Sequence, residues 1–168
     1  MEESLGVPRS ISSGFQAYCI DLPAHTHFRF ATFDADTTPA GADLDLRLFY
    51  ADDGCSGTNP LVALGSSGGA TSAEVVDVAN PAAGGYVFVI DYYSSSTGSI
   101  DYTAWIQPVF GDAGNATVSA PDSAVANTSG TVTVDYTGLT GGTRYLGVVQ
   151  HEDNVGEMSR TIIDVDTQ

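Results

Sequence analysis

Asp43-Leu44-Asp45-Leu46-Arg47-Leu48-Phe49-Tyr50 is the stretch that decides the fold. Leu44, Leu46, Leu48 and Tyr50 fall on one face of an extended chain, and Asp43, Asp45 and Arg47 fall on the other. That period of two marks a half-buried β-strand. Further on, Tyr86-Val87-Phe88-Val89-Ile90 is apolar on both faces. It reads as a central strand, introduced by the turn Pro81-Ala82-Ala83-Gly84-Gly85. Ser99 to Ile106 alternates again, with Ile100, Tyr102, Ala104 and Ile106 on one side. The polar loop from Ser94 to Gly98 predicts that this strand returns on 86–90 as a hairpin.

Working outward, runs of β-branched and aromatic residues at 13–22, 27–34, 61–65 and 72–78 are separated by clusters of Gly, Ser, Asn, Asp and Pro. With the three strands above they make about seven, the number of a full sandwich. Helical periodicity is absent from this region. The expectation is an all-β fold, an antiparallel, jelly-roll-like β-sandwich spanning 10–109.

Pro108-Val109-Phe110-Gly111-Asp112-Ala113-Gly114-Asn115 reads as a junction. Behind it the composition turns to Thr/Val-rich strands without cysteine, predicted at 115–120, 130–136, 143–151 and 159–166. Thr140-Gly141-Gly142 is expected to be the tight turn joining the second and third of these. Four strands are few for a sandwich. Residues 110–168 are therefore expected to form a small fibronectin type III-like β segment, packed on the first unit or closing an abbreviated second sandwich.

The 168 residues carry 21 acidic side chains against five basic ones, a formal charge of −16. All five basic residues are arginine. With no Lys/Arg patch to displace counterions, nucleic acid and anionic membrane surfaces are disfavoured partners. The 42% of hydrophobic residues is enough apolar material to offset the entropy of ordering. No apolar run of about 18 residues is present to cross a membrane as a helix. No basic region followed by an apolar one is present either, so a signal peptide of an exported parent is expected outside this chain.

Two stretches resemble known families. Asp43-Leu44-Asp45-Leu46-Arg47-Leu48, then Pro81-Ala82-Ala83-Gly84-Gly85-Tyr86-Val87-Phe88-Val89-Ile90, then Gly98-Ser99-Ile100-Asp101-Tyr102-Thr103 follow the pattern of the bacterial pre-peptidase C-terminal domain. That β-sandwich module stands behind the catalytic domains of many exported peptidases. Gly138-Leu139-Thr140-Gly141-Gly142-Thr143-Arg144-Tyr145-Leu146-Gly147, followed by Thr161-Ile162-Ile163-Asp164-Val165, is similar to the last segment of some subtilisin-like peptidases. The resemblance implies a non-catalytic accessory region of a secreted serine peptidase, which aids export, folding or stability and is removed on maturation in some settings. The attached catalytic domain is then the expected partner. A substrate-binding module holding its enzyme against collagen-like protein or polysaccharide is the alternative, and a small independent hydrolase is a third. Fold-level likeness alone assigns no activity to the fragment.

Candidate sites follow from residue chemistry. Cys19 lies in an apolar strand and Cys55 in the loop Asp52-Asp53-Gly54-Cys55-Ser56-Gly57, a spacing that fits no metal motif. Export into an oxidising compartment favours a disulfide between them, with two free thiols as the alternative. Calcium takes six to eight hard oxygen ligands, which acidic loops supply. The calcium candidates are Asp34, Asp36, Asp43 and Asp45, brought together by a hairpin between 34–36 and 43–45. The competing reading is Asp residues that only cap turns and solvate a strand. His25 and His27, alternating around Thr26, are a candidate zinc pair without a third ligand, set against ordinary structural histidines. Tyr92, Tyr93 and Trp105 are candidates for an aromatic platform that binds sugar or peptide, set against core packing. No Gly-x-Ser-x-Gly elbow occurs, and Ser10, Ser12 and Ser13 read as loop serines. His151, beside Glu152 and Asp153, reads as part of a solvated turn.

Overall fold

The computed structural model describes residues 1–121, 123 and 127–168. The chain is all-β and antiparallel, and a single 3₁₀ turn, Asp34–Asp36, is the one helical element among the described residues. It divides into two compact units, Ser4–Phe110 and, separately, Gly111–Gln168 together with Met1–Glu3.

In chain order the strands are β1 (Glu2–Glu3), β2 (Leu5–Ile11), β3 (Phe15–Leu22), β4 (His27–Thr32), β5 (Thr37–Thr38), β6 (Asp43–Ala51), β7 (Val62–Ser67), β8 (Glu74–Ala79), β9 (Gly84–Ser94), β10 (Ile100–Val109), β11 (Ala116–Ser119), β12 (Thr133–Tyr136), β13 (Arg144–Glu152) and β14 (Glu157–Asp166). The unit 4–110 is a sandwich of two sheets. One has the order β2-β10-β4-β8, with β5 also paired to β10, and the other has the order β3-β9-β6-β7.

From Leu44 onward the alternating strand behaves as its period requires, whereas Asp43, placed by that period on the polar face, is buried beyond a shift in register. In β6, Leu44, Leu46 and Leu48 are fully buried, while Asp45 is half-buried and Arg47 is exposed. Their partners on β9 are Tyr92, Ile90 and Phe88. Tyr86, Phe88 and Ile90 of that strand face Phe28, Phe30, Val76, Ile100, Tyr102 and Ala104 in one continuous core. The aromatic rings interlock at its centre, with Phe88 4.9 Å from Phe30 and 5.9 Å from Phe28 between centroids. Burying a Phe or Leu side chain contributes about 1.5–3 kcal/mol each, so this layer carries most of the unit's driving force. β9 is central in its sheet, hydrogen-bonded on both edges by β3 and β6.

Two expected hairpins are absent from the structure. β9 and β10 do not pair: β10 lies in the opposite sheet between β2 and β4, and residues 95–99 cross from one sheet to the other. The reason is packing. Both edges of β9 are occupied, and its apolar face and that of β10 bury more surface facing each other than lying side by side. In the other unit, β12 pairs with β11, not β13, and β13 pairs with β1 and β14. Thr140–Gly142 is thus not a hairpin turn: the Thr140 N–H donates to the Tyr145 hydroxyl (2.8 Å) and the Gly142 N–H to the Thr167 carbonyl (2.9 Å). His151 lies within β13, hydrogen-bonded to Thr161 Oγ1 at 2.9 Å, and not in a turn.

The unit 111–168 with 1–3 thus consists of a two-stranded and a three-stranded sheet. Its amino end is held by Asn115, whose Oδ1 accepts from the Met1 ammonium and whose amide donates to the Met1 carbonyl at 2.9 Å.

Candidate functional site

Cys19 and Cys55 form a disulfide, with Cα atoms 5.7 Å apart. It ties β3 to the loop that follows β6, and the Cys55 N–H donates to Asp21 Oδ1 at 2.8 Å. Gly85 of β9 runs beneath this loop, so close that a Cβ there would stand 2.8 Å from the backbone of Gly54 and Cys55. The bridge closes a sequence separation of 36 residues. On the chain-entropy model that is worth about 4 kcal/mol.

The two histidines of the expected zinc pair are engaged with different partners. His25 is buried, packed edge-on against Phe28 and Tyr86, and its Nδ1–H donates to the Pro23 carbonyl at 2.7 Å. Burial lowers its pKa, more than the Pro23 bond raises it, so the ring is held neutral. His27 Nε2 meets Asp77 Oδ1 at 2.9 Å, and Arg29 grips the same carboxylate through Nε (2.8 Å) and Nη2 (3.0 Å). Burial opposes ionisation of Asp77, but the bonds from His27 and Arg29 outweigh it and hold its pKa at about 2. This is a structural anchor from β4 to β8, in which His27 and Arg29 of one strand hold a carboxylate about fifty positions further on.

The three aromatic candidates do not make one platform. Tyr92 is half-buried against the core and its neighbour Tyr93 is 70% exposed, as adjacent residues of one strand must point to opposite faces. Trp105 belongs to the other sheet and is buried. Its Nε1–H donates to Asp36 Oδ2 at 2.8 Å, and its ring leaves room on β2 only for Gly6, where a Cβ would come within 2.9 Å.

The four calcium candidates are not brought together by the expected hairpin. Asp36 is engaged by Trp105. Asp34 precedes it in the exposed 3₁₀ turn, and β5 after that turn pairs with β10, so no hairpin links 34–36 to 43–45. Asp43 and Asp45 lie on β6, where a register shift separates Asp43 from Leu44. Burial first, then the charges of Asp45, Glu74 and Asp34, push the Asp43 pKa up. Glu74, at the start of β8, was not among the candidates. It lies 31 positions after Asp43, and its effect on Asp43 is visible only in the folded chain. Among the described residues no group of three or more His, Cys, Asp or Glu side chains is placed to hold a metal ion.

A cleft of about 230 Å³ opens at the sandwich edge between β7 and β8, lined by Tyr50, Leu64, Val78, Asn80, Pro81 and Tyr86. The tyrosine hydroxyls bond inward, Tyr50 to the Ala83 carbonyl at 2.7 Å and Tyr86 to that of Ala82. Burial lifts the Tyr86 pKa to about 12, so the phenol stays protonated across the physiological range. The cleft wall is thus largely apolar, with both tyrosine hydroxyls already paired.

No family model matches the chain, and no curated protein matches it. Among solved structures it is similar to the crystal structure of Aeromonas hydrophila PliG, a periplasmic lysozyme inhibitor of g-type lysozyme. The TM-score is 0.42 at 14% sequence identity, over 63% of this chain and 86% of that one.

Proposed function

We propose that this chain is a non-catalytic accessory region of a secreted subtilisin-like peptidase, a pre-peptidase C-terminal-type sandwich followed by a small β segment. The supporting observation is the pairing of β6 with β9. The D-x-D-L strand and the P-x-x-G-x-Y strand, which carry the resemblance, lie side by side with Leu44, Leu46, Leu48 and Tyr50 opposite Tyr92, Ile90, Phe88 and Tyr86. Two motifs separated by more than thirty residues thus form the core-facing layer of one sheet, as a shared module would require.

The Cys19–Cys55 bridge favours an extracellular or periplasmic setting, because thiols stay reduced in most cytosols. Within that setting the region acts by folding stably and by keeping its parent soluble, its charge of −16 resisting association. The test is secretion of the parent peptidase with and without these 168 residues. Deletion should lower the amount of exported active enzyme several-fold and leave kcat/KM of the mature catalytic domain unchanged. Hydrolysis of casein by the isolated chain, or undiminished export without it, would sink the proposal.

A further inference from the structure

His25 stands where the chain leaves the sandwich. The segment joining β3 to β4 is fixed by three backbone bonds: His25 N–H to the Pro81 carbonyl (3.2 Å), Thr26 N–H to the Val109 carbonyl (2.8 Å) and Asn80 N–H to the Thr26 carbonyl (3.0 Å). The second of these zips the end of β10 to the start of β4. One residue further on, Phe110 is the last of the unit, and its ring lies 5.4 Å from that of His25 between centroids.

Phe28 and Tyr86 close the other sides of the imidazole, at 5.7 and 5.9 Å. Its Nδ1 faces the Pro23 carbonyl, which can only accept, so Nδ1 carries the proton and Nε2 a lone pair. That Nε2 is buried with no hydrogen-bond partner among the described residues. The titratable groups facing the ring are His27 of β4 and the Tyr86 phenol of β9. His27 is bonded to Asp77, and Tyr86 stays protonated on the Ala82 carbonyl. Neither supplies a negative charge, and Phe28, Pro81 and Phe110 carry none.

A second proton on this imidazole would set a cation and an unmet donor inside an aromatic nest. Phe28 and Tyr86 are fully buried and Phe110 is 47% exposed, so the way out to water runs past Phe110. We propose that His25 is an acid-released latch: when Nε2 takes a proton, Phe110 swings away and the end of β10 parts from the start of β4, admitting water where the chain leaves the sandwich. Burial lowers the His25 pKa, so the closed form resists a proton that the opened ring takes at the ordinary value of 6.5. The closed form therefore holds its full advantage above that value and loses it as pH falls below. The latch uses this chain's own residues alone and does not depend on the peptidase reading.

The experiment is amide hydrogen exchange by NMR on the 168-residue chain between pH 7.5 and 5.0, with each rate divided by its intrinsic rate at that pH. Protection of the Thr26 N–H should fall about tenfold or more, since opening gains up to about a decade per pH unit below 6.5. Phe88, at the centre of β9, should keep its protection. His25→Phe, whose ring takes no proton, should make Thr26 insensitive to pH, and His27→Gln should leave the fall in place. If His25→Phe does not fold, His25→Gln takes its place. Constant Thr26 protection in the wild type, an equal fall at Phe88, or a persisting fall in the His25 variant would each overturn the proposal. The second assigns the response to global loss of the fold and the third to the His27–Asp77 anchor.

Discussion

The unit 4–110 and the unit formed by 111–168 with 1–3 use the same strand geometry on different materials. The first fills its interior with Phe28, Phe30, Leu44, Leu46, Leu48, Tyr86, Phe88 and Ile90, all 2% exposed or less. The second has Met1, Tyr145 and Leu146 as its buried apolar side chains among the described residues, and leaves Val118, Tyr136, Val155 and Met158 exposed. Alternation makes a strand, but large apolar residues on its inner face are what make a core. The two units should therefore respond very differently to side-chain truncation.

The strongest test of that contrast is a pair of substitutions. Phe88→Ala should cost about 4 kcal/mol by opening a cavity between Phe28 and Phe30, whereas Val118→Ala should change stability by less than about 0.5 kcal/mol. Urea denaturation read from Trp105 fluorescence, which reports the 4–110 unit, together with far-UV circular dichroism distinguishes them. Equal losses would erase the distinction. Next, Cys19→Ser with Cys55→Ser should lower the stability of the 4–110 unit by about 2–4 kcal/mol. Limited proteolysis should then cut that unit faster and leave the rate for 111–168 unchanged.

Acid sharpens the comparison within the first unit. Asp77 titrates at about 2 in the fold against an ordinary value of 3.8, so its contribution is present above pH 4 and is lost as pH falls through 2. Its side chain is 37% exposed, and after allowance for solvent screening the contribution is about 1 kcal/mol. Asp77→Asn should flatten the acid limb of the stability curve by that amount. Asp43 has the opposite sign. Its folded pKa is raised, so stability falls as pH climbs above the ordinary carboxyl value, and Asp43→Asn should remove that decline. A backbone effect of similar size is expected at Gly142, where φ is +87°. Gly142→Ala should cost about 1 kcal/mol, seen as a small shift in the urea midpoint, because a Cβ strains that conformation.

Much of the sandwich was legible in the sequence because period two survives wherever one face meets a core, as in 43–50 and 100–106. The strand 5–11 was not, since Gly6 and Pro8 argue against a strand. The structure tolerates both because β2 is an edge, paired only to β10. Strand partners were less legible than strands. The crossing of 95–99 looks like any hairpin loop until both edges of β9 are known to be occupied. The candidate site was half legible: Asp43 and Asp45 are neighbours in sequence, but no local signal points to Glu74 or ties His27 and Arg29 to Asp77.

The pairing of early strands with late ones governs the order in which this chain acquires structure. Leu5 is opposite Ile106, and Phe15 is opposite Asp91. Even Glu2 waits for Leu146. A polypeptide threaded through a translocation pore amino end first would deliver its opening strands long before their partners, with no hairpin available to hold them meanwhile. High contact order of this kind makes folding slow. In a chain exported that way, slowness would keep the polypeptide extended enough to pass, and the disulfide would close only once β3 and the 52–57 loop had met on the oxidising side.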